Sequence, residues 1–241
     1  MRPKILIAVP VYGGVDPFFV QSLVTAIIEH QARRPAPYEI AFRMNLGDSL
    51  VPRARNTLAG EFLKSGSTHL LFLDSDLIWG LDMIDALLAR DLPIVGGLYP
   101  KKQAKLDWVC NIIEGEEEDG TGLLRVKYTG TGCMLIRREV LEEMMRAFPE
   151  IAFDADAGSV PGHDFFSVGR YRFPSGASRY LSEDWYFCQR AIDLGFPVHV
   201  DCRVVLKHVG QMIYPIEDPF TKEPEPLPSN FDDMARAQAG C

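Results

Sequence analysis

The chain has no apolar run approaching the ~20 residues of a membrane-spanning helix, so no hydrophobic segment reads as a span. Ile5 to Val11 is apolar but short, and Pro10 interrupts it, so no secretory signal is expected there. Cysteine is sparse. Cys110, Cys133, Cys188, Cys202 and Cys241 are scattered, odd in number and form no Cys-x-x-Cys. That usage excludes a disulfide framework or a zinc scaffold and fits a reducing, cytoplasmic setting. Positive charge is also scarce: 25 Lys and Arg face 33 Asp and Glu, for a formal net charge of −8. A chain so charged lacks the means to neutralise phosphates broadly, which argues against a general nucleic-acid or membrane-surface binder. Internal repeats are absent.

What is present is enough for one large α/β domain: 241 residues, 47% of them apolar, can bury a sizeable core. The most informative stretch is residues 70–79, LLFLDSDLIW. Leu70 to Leu73 reads as a buried strand, and it ends abruptly in Asp74-Ser75-Asp76. Open α/β sheets bind ligands at the carboxyl ends of their strands. Two hard carboxylate donors there suit Mg²⁺ or Mn²⁺, which bind through one or two carboxylates plus substrate phosphates. The structural alternative is a strand that stops at a polar turn.

The pattern around this stretch predicts alternating strands and helices. Lys4 to Val9 reads as a first buried strand. Asp16-Pro17 starts a helix, with an N-cap acid and proline in the first turn. Phe19, Leu23, Ile27 and Ile28 are expected to form its apolar face. Tyr38 to Arg43 alternates like a strand, and Pro52 to Lys64 reads as a helix ended by Gly66. A strand over Thr68 to Leu73, a helix around Asp82 to Ala89 and a strand over Ile94 to Tyr99 follow. Such an order implies a mainly parallel sheet with helices on both faces. In the second half, Glu114 to Gly122 reads as a solvated hairpin tip. Leu123 to Tyr128 and Cys133 to Ile136 read as strands flanking Gly130-Thr131-Gly132, and Arg138 to Phe148 as an amphipathic helix. Asp154 to Ser178 lacks periodicity and is expected to be a long loop. Glu183 to Leu194 is a helix stopped by Gly195, and Pro197 to Lys207 supplies one or two last strands. The Pro- and acid-rich residues from Tyr214 onward read as a flexible arm.

In order, ILIAVPVYGG (5–14), the helix carrying Arg53 and Asn56, FLDSD (72–76), TGTGCMLIRREVL (129–141), SEDWYFCQRA (182–191) and LKHVG (206–210) resemble nucleotide-sugar-dependent glycosyltransferases of the GT-A fold, including small family-2-like and viral members. The resemblance spans roughly residues 4 to 212. It implies a single GT-A-like, Rossmann-type α/β domain over 1–212, with 213–241 as a C-terminal tail. It also implies transfer of a hexosyl or deoxyhexosyl group from a nucleoside-diphosphate sugar to a hydroxyl of a glycan or related acceptor, with Mn²⁺ or Mg²⁺ as cofactor.

The same resemblance assigns roles. Pro10 and Tyr12 end the first strand, where the nucleotide base and ribose are expected, and Tyr12 has a ring that can stack on a base. Arg53 and Asn56, three apart, share a helical face and can meet base, ribose or phosphate. Asp74, Ser75 and Asp76 match the family's DxD motif. Asp76 is then the ligand of a metal bridging the diphosphate, with Asp74 on ribose or on metal-bound water. His208 is the expected third ligand, since imidazole suits Mn²⁺. Ser182-Glu183-Asp184 opens a helix, and Ser182 with two early acids also explains itself as a cap. By resemblance, one acid faces the acceptor; Asp184 is preferred over Glu183 as general base. Trp79, Tyr99, Trp108 and Trp185 are candidates for a sugar-stacking ring against a default of core packing. Lys101-Lys102 is placed either at the diphosphate or in a solvated loop.

Other readings of Asp-x-Asp fit less well. A haloacid-dehalogenase-like phosphatase carries that pair on its first strand, whereas here it lies on the third. A nucleotidyltransferase has a Gly-rich, basic first loop, but residues 11–15, VYGGV, contain no Lys or Arg. A catalytically dead sugar-binding module does not need Asp76, Asp184 and His208 together.

Overall fold

Two interleaved periodicities build the core. In the first strand, β1 (Lys4–Val11), the buried run alternates: Leu6 and Ala8 enter one apolar cluster, and Ile5, Ile7 and Val9 enter another. β3 (His69–Leu73) repeats this, with Leu70 and Phe72 on the first side and Leu71 and Leu73 on the second. A strand apolar on both faces must be covered on both faces, so helices pack above and below the sheet. The computed structural model describes residues 2–103, 107–154 and 162–210. The tail from 213, and 155–161 of the expected long loop, lie outside the described residues.

Between these strands run α1 (Pro17–Ala32), β2 (Glu39–Leu46) and α2 (Val51–Ser65). β4 (Leu77–Ile78), α3 (Leu81–Ala89) and β5 (Ile94–Leu98) follow, then β6 (Cys110–Ile112), β7 (Leu123–Thr129), β8 (Cys133–Arg137) and α4 (Arg138–Ala147). The remainder is β9 (Ala152–Phe153), β10 (Gly162–His163), β11 (Gly169–Arg172), β12 (Ser178–Leu181), α5 (Glu183–Asp193), β13 (Val198–Val205) and β14 (Lys207–His208). The capping signals act as read: the Asp16 carboxylate accepts from the Phe18 amide at 2.8 Å, and Gly66 closes α2 in the left-handed region at φ 68°.

The α/β class and single-domain architecture hold, and the large sheet has eight strands in the order β2-β1-β3-β8-β5-β13-β7-β6. Strand directions are mixed. β1 pairs in parallel with β2 and β3, and β5 with β13; β8 enters between β3 and β5 antiparallel to both. The parallel half is what the alternating elements predict. The antiparallel insertion comes from the second half of the chain, where no helix separates β7 from β8 and the chain crosses at Gly130–Gly132. β6 and β7 form the expected hairpin around Glu114 to Gly122.

Two local expectations are corrected. Ile28 is 62% exposed, not part of the buried face of α1. Nine residues past Phe19, at about 100° per residue, it stands on the opposite side of the helix. The segment after His163 is not all loop, since β11 and β12 form a hairpin from Gly169 to Leu181. No helix among the described residues is long and apolar enough to cross a membrane.

Candidate active site

Strand alternation aims the site. Leu70 and Phe72 face the α2/α5 side of the sheet, so Asp74, the next residue in that phase, arrives at the same side just beyond the strand. There the Asp74 Oδ1 atom accepts a 3.0 Å hydrogen bond from Arg55 Nη2 of α2. The Asp74 amide donates to the Gly132 carbonyl at 2.9 Å. Gly132 is needed for this approach: a Cβ there would lie 2.6 Å from Asp74 Oδ2 and 2.5 Å from the Tyr99 hydroxyl. The glycine run thus serves the inner support of Asp74.

Asp76 is held differently. The two-residue strands β4 and β14 pair antiparallel with His208 opposite Leu77, and the Val209 amide donates to the Asp76 carbonyl at 2.9 Å. This register brings His208 Nε2 to 3.3 Å from Asp76 Oδ1. The other ring nitrogen, Nδ1, lies 2.8 Å from the Pro100 carbonyl. A carbonyl only accepts, so Nδ1 carries the proton and Nε2 is the atom presented to Asp76. Tyr99 packs edge-on against the imidazole at 5.5 Å. Lys102 ion-pairs with the second Asp76 oxygen. Burial pushes the Asp76 carboxyl up, but the neighbouring His208 imidazole and Lys102 ammonium outweigh it and leave the group below the ordinary carboxylate range. Burial pulls the His208 imidazole down, and its contacts with Asp76 and the Pro100 carbonyl more than reverse that.

Among the described residues, no group of three His, Cys, Asp or Glu side chains converges as a metal site. The expected trio of Asp74, Asp76 and His208 is therefore divided: Asp76 and His208 meet, while Asp74 is turned onto Arg55. The pair nevertheless fits a divalent cation. Asp76 Oδ1 is buried without a hydrogen-bond partner and faces an imidazole whose other nitrogen is anchored by a carbonyl. One carboxylate and one imidazole suit Mn²⁺ that completes its shell with phosphate oxygens and water.

A cavity of about 330 Å³ opens over these groups, lined by Pro10, Val11, Tyr12, Asp48, Val51, Ala54, Arg55, Asp74, Ser75, Asp76 and Glu183. Pro10, Tyr12 and Ser75 share this lining, and the Tyr12 side chain is 66% exposed at its rim. Arg53 and Asn56 are not in this lining. Arg53 makes two hydrogen bonds to Asp48, at 2.8 and 2.7 Å. Asn56 is buried and bonds Asp164 and the Phe166 amide, so it ties α2 to the 164–166 segment. Both line a neighbouring cavity of about 490 Å³ instead.

Of the two acids that open α5, Glu183 enters the cavity lining. Asp184 accepts from the Ser182 hydroxyl and, at 2.8 Å, from the Trp185 amide. Asp184 is thus engaged at the helix start, and Glu183 is the acid of the pair that lines the cavity. Burial raises the Glu183 carboxyl above the usual range; Asp184 adds to this and Arg55 opposes it. The aromatic candidates are largely accounted for by packing. Trp79 and Tyr99 are buried, and Trp185 stacks on Tyr128 with ring centroids 5.2 Å apart.

Arg55 escaped the sequence reading, although a signal existed. With Leu58, Ala59 and Phe62 it completes an i, i+3, i+4, i+7 pattern, and all four are buried. An arginine on the apolar face of a helix must meet partners inside, and here these are Asp74 and Glu183.

No protein-family model matches the chain, and no curated protein matches it. Among solved structures, A197 from STIV is similar over 89% of this chain and 98% of its own, at 16% identity and a TM-score of 0.48. The crystal structure of GalNAc-T7 with UDP, GalNAc and Mn²⁺ is similar over 87% of this chain, at 10% identity and a TM-score of 0.50. This chain spans 44% of the GalNAc-T7 chain. That likeness shows the fold, a GT-A-like α/β domain.

Proposed function

We propose that this protein is a divalent-metal-dependent glycosyltransferase that moves a hexosyl or deoxyhexosyl group from a nucleoside-diphosphate sugar to a hydroxyl acceptor such as a glycan. The observation that carries the reading is the Asp76–His208 pair at the edge of the Asp74–Glu183 cavity. It gains support from the GT-A-like fold, and from a solved neighbour of that fold seen with UDP, GalNAc and Mn²⁺.

In this reading Asp76 and His208 hold the cation. When bound, Mn²⁺ or Mg²⁺ neutralises charge on the diphosphate, which the carboxylates of this cavity would otherwise repel. Tyr12 and Pro10 receive the base and ribose, with Asp48 beside them. Arg55 keeps Asp74 from turning into the space of the sugar. Glu183 is the general base. As the acceptor oxygen forms its bond to the anomeric carbon and the bond to the diphosphate oxygen breaks, the hydroxyl proton passes to the Glu183 carboxylate. The raised affinity of Glu183 for a proton, caused first by burial, suits that task. This is the inverting outcome.

The test is calorimetry with UDP and GDP, with and without Mn²⁺, followed by a panel of nucleotide sugars scored for donor hydrolysis and transfer. Nucleotide binding that requires Mn²⁺, with turnover of at least one donor, is expected. Equal nucleotide affinity after chelation would overturn the metal assignment.

A further inference from the structure

Arg55 is 4% exposed and sits at the floor of the cavity. Its Nη2 donates to Asp74 Oδ1 at 3.0 Å, and its Nε lies 3.8 Å from Glu183 Oε1. The guanidinium stacks over the Phe72 ring, with Cζ 5.4 Å from the centroid, so its lower face is closed by apolar surface. Nε and Nη1 are buried without a hydrogen-bond partner. Buried donors left unmade are costly, and the Glu183 carboxylate lies within ion-pair reach of Nε. Among the described residues, Arg55 is the cation within ion-pair distance of both Asp74 and Glu183.

We propose that Arg55 is a positioning residue that binds Asp74, on the donor side, and Glu183, on the acceptor side, into one unit and holds the Glu183 carboxylate toward the cavity. The proposal rests on Glu183 being the general base of the reaction above. The charges that face Glu183 are Arg55 from α2, Asp74 from the end of β3 and Asp184 from its own helix. Two of the three are negative. Without the guanidinium, a half-buried carboxylate would stand among like charges with only its own backbone amide to favour its ionised form. Arginine is suited to this geometry because its planar fork reaches two carboxylates at once; lysine, a point charge, serves one.

The decisive experiment reads Glu183 directly, without any sugar donor. The protein is labelled with ¹³C at the glutamate carboxyl carbons, and the Glu183 signal is assigned by its loss in Glu183→Gln. Its titration midpoint is then followed in the wild type, Arg55→Lys and Arg55→Met, with a melting curve for each. The midpoint should rise in Arg55→Met and rise less in Arg55→Lys. Where a donor is turned over, Arg55→Met should approach the ~10²–10⁴-fold loss of a deleted general base and recover in part at higher pH. An unchanged Glu183 midpoint in folded Arg55→Met would overturn the proposal. If Arg55→Met does not fold, an unchanged midpoint in Arg55→Lys does the same. A protein that transfers no sugar from any donor would count against the glycosyltransferase reading, while the link from Arg55 to Glu183 is still decided by the titration.

Discussion

His208 Nε2 lies 3.3 Å from Asp76 Oδ1, and the contact is made by two strands of two residues each. Because β14 pairs with β4, a histidine near the end of the described chain returns to an acid that follows the third strand. The Pro100 carbonyl then fixes which nitrogen it presents. Histidine ligands generally have such an anchor on the other ring nitrogen.

From this relationship, Asp76→Asn and His208→Ala should each abolish or weaken Mn²⁺-dependent nucleotide binding and turnover while leaving the fold intact. The site lies at the sheet edge, and neither side chain belongs to the apolar clusters. Calorimetry with nucleotide and Mn²⁺, set beside a melting curve, checks both. Loss of the group that anchors a ligand histidine's other nitrogen typically costs ~10–100-fold in metal affinity, so loss of the histidine itself should cost at least as much. A His208→Ala protein with a lowered melting point and an unaltered metal requirement would mark the histidine as packing only.

The two acids that open α5 should separate cleanly. Glu183→Gln is expected to lower transfer by ~10²–10⁴-fold, the usual worth of a general base, with nucleotide binding preserved. Asp184→Asn should cost about 0.3–1 kcal/mol of stability through the helix start and change turnover little, because its Oδ1 atom is engaged by Ser182 and Trp185. Full transfer by Glu183→Gln would remove the base and favour a retaining mechanism, in which no such base is needed.

The same carboxyl gives a stability prediction with a definite sign. Burial and Asp184 raise the folded-state proton affinity of Glu183 above its unfolded value. The native protein therefore holds more protons than the unfolded chain as pH rises from the ordinary glutamate range through the raised folded value, and stability falls over that window. Glu183→Gln, which mimics the protonated acid, should accordingly melt higher than the wild type at neutral pH, with the gain vanishing in acid. Melting curves from pH 4 to pH 8 test this. A variant less stable than the wild type at neutral pH would show that the ionised form is net favoured.

Gly132→Ala should damage the site through Asp74 without touching the ligand directly. The added methyl would meet Asp74 Oδ2 at 2.6 Å and the Tyr99 hydroxyl at 2.5 Å. Overpacking of this kind costs ~1–3 kcal/mol, and either Asp74 leaves Arg55 or the crossover shifts. A lowered melting point with reduced turnover is expected. Wild-type values for both would show that the crossover yields freely.

Along the chain, the sequence by itself determined the parallel half of the sheet, the caps of α1 and α2 and the placing of Asp74 at a strand end. These follow from short-range rules: a strand apolar in both phases, an acid before a proline, a glycine past a helix. Pro10, Tyr12 and Ser75 line one cavity because the ends of neighbouring parallel strands gather on one edge. Periodicity misplaced Ile28 because Phe19, Leu23 and Ile27 share a face that the fourth residue, Ile28, does not. Only the tertiary structure decided which charged groups meet. Whether Arg53, Asn56 or Arg55 enters the cavity depends on the roll of α2 about its axis, which is set by Leu58, Ala59 and Phe62 packing on the sheet. Whether Glu183 or Asp184 faces inward depends on where α5 starts, and one residue turns a side chain by about 100°. The antiparallel entry of β8 and the β4–β14 pairing are contacts between distant segments, so no local pattern carries them. They place Gly132 behind Asp74 and His208 beside Asp76.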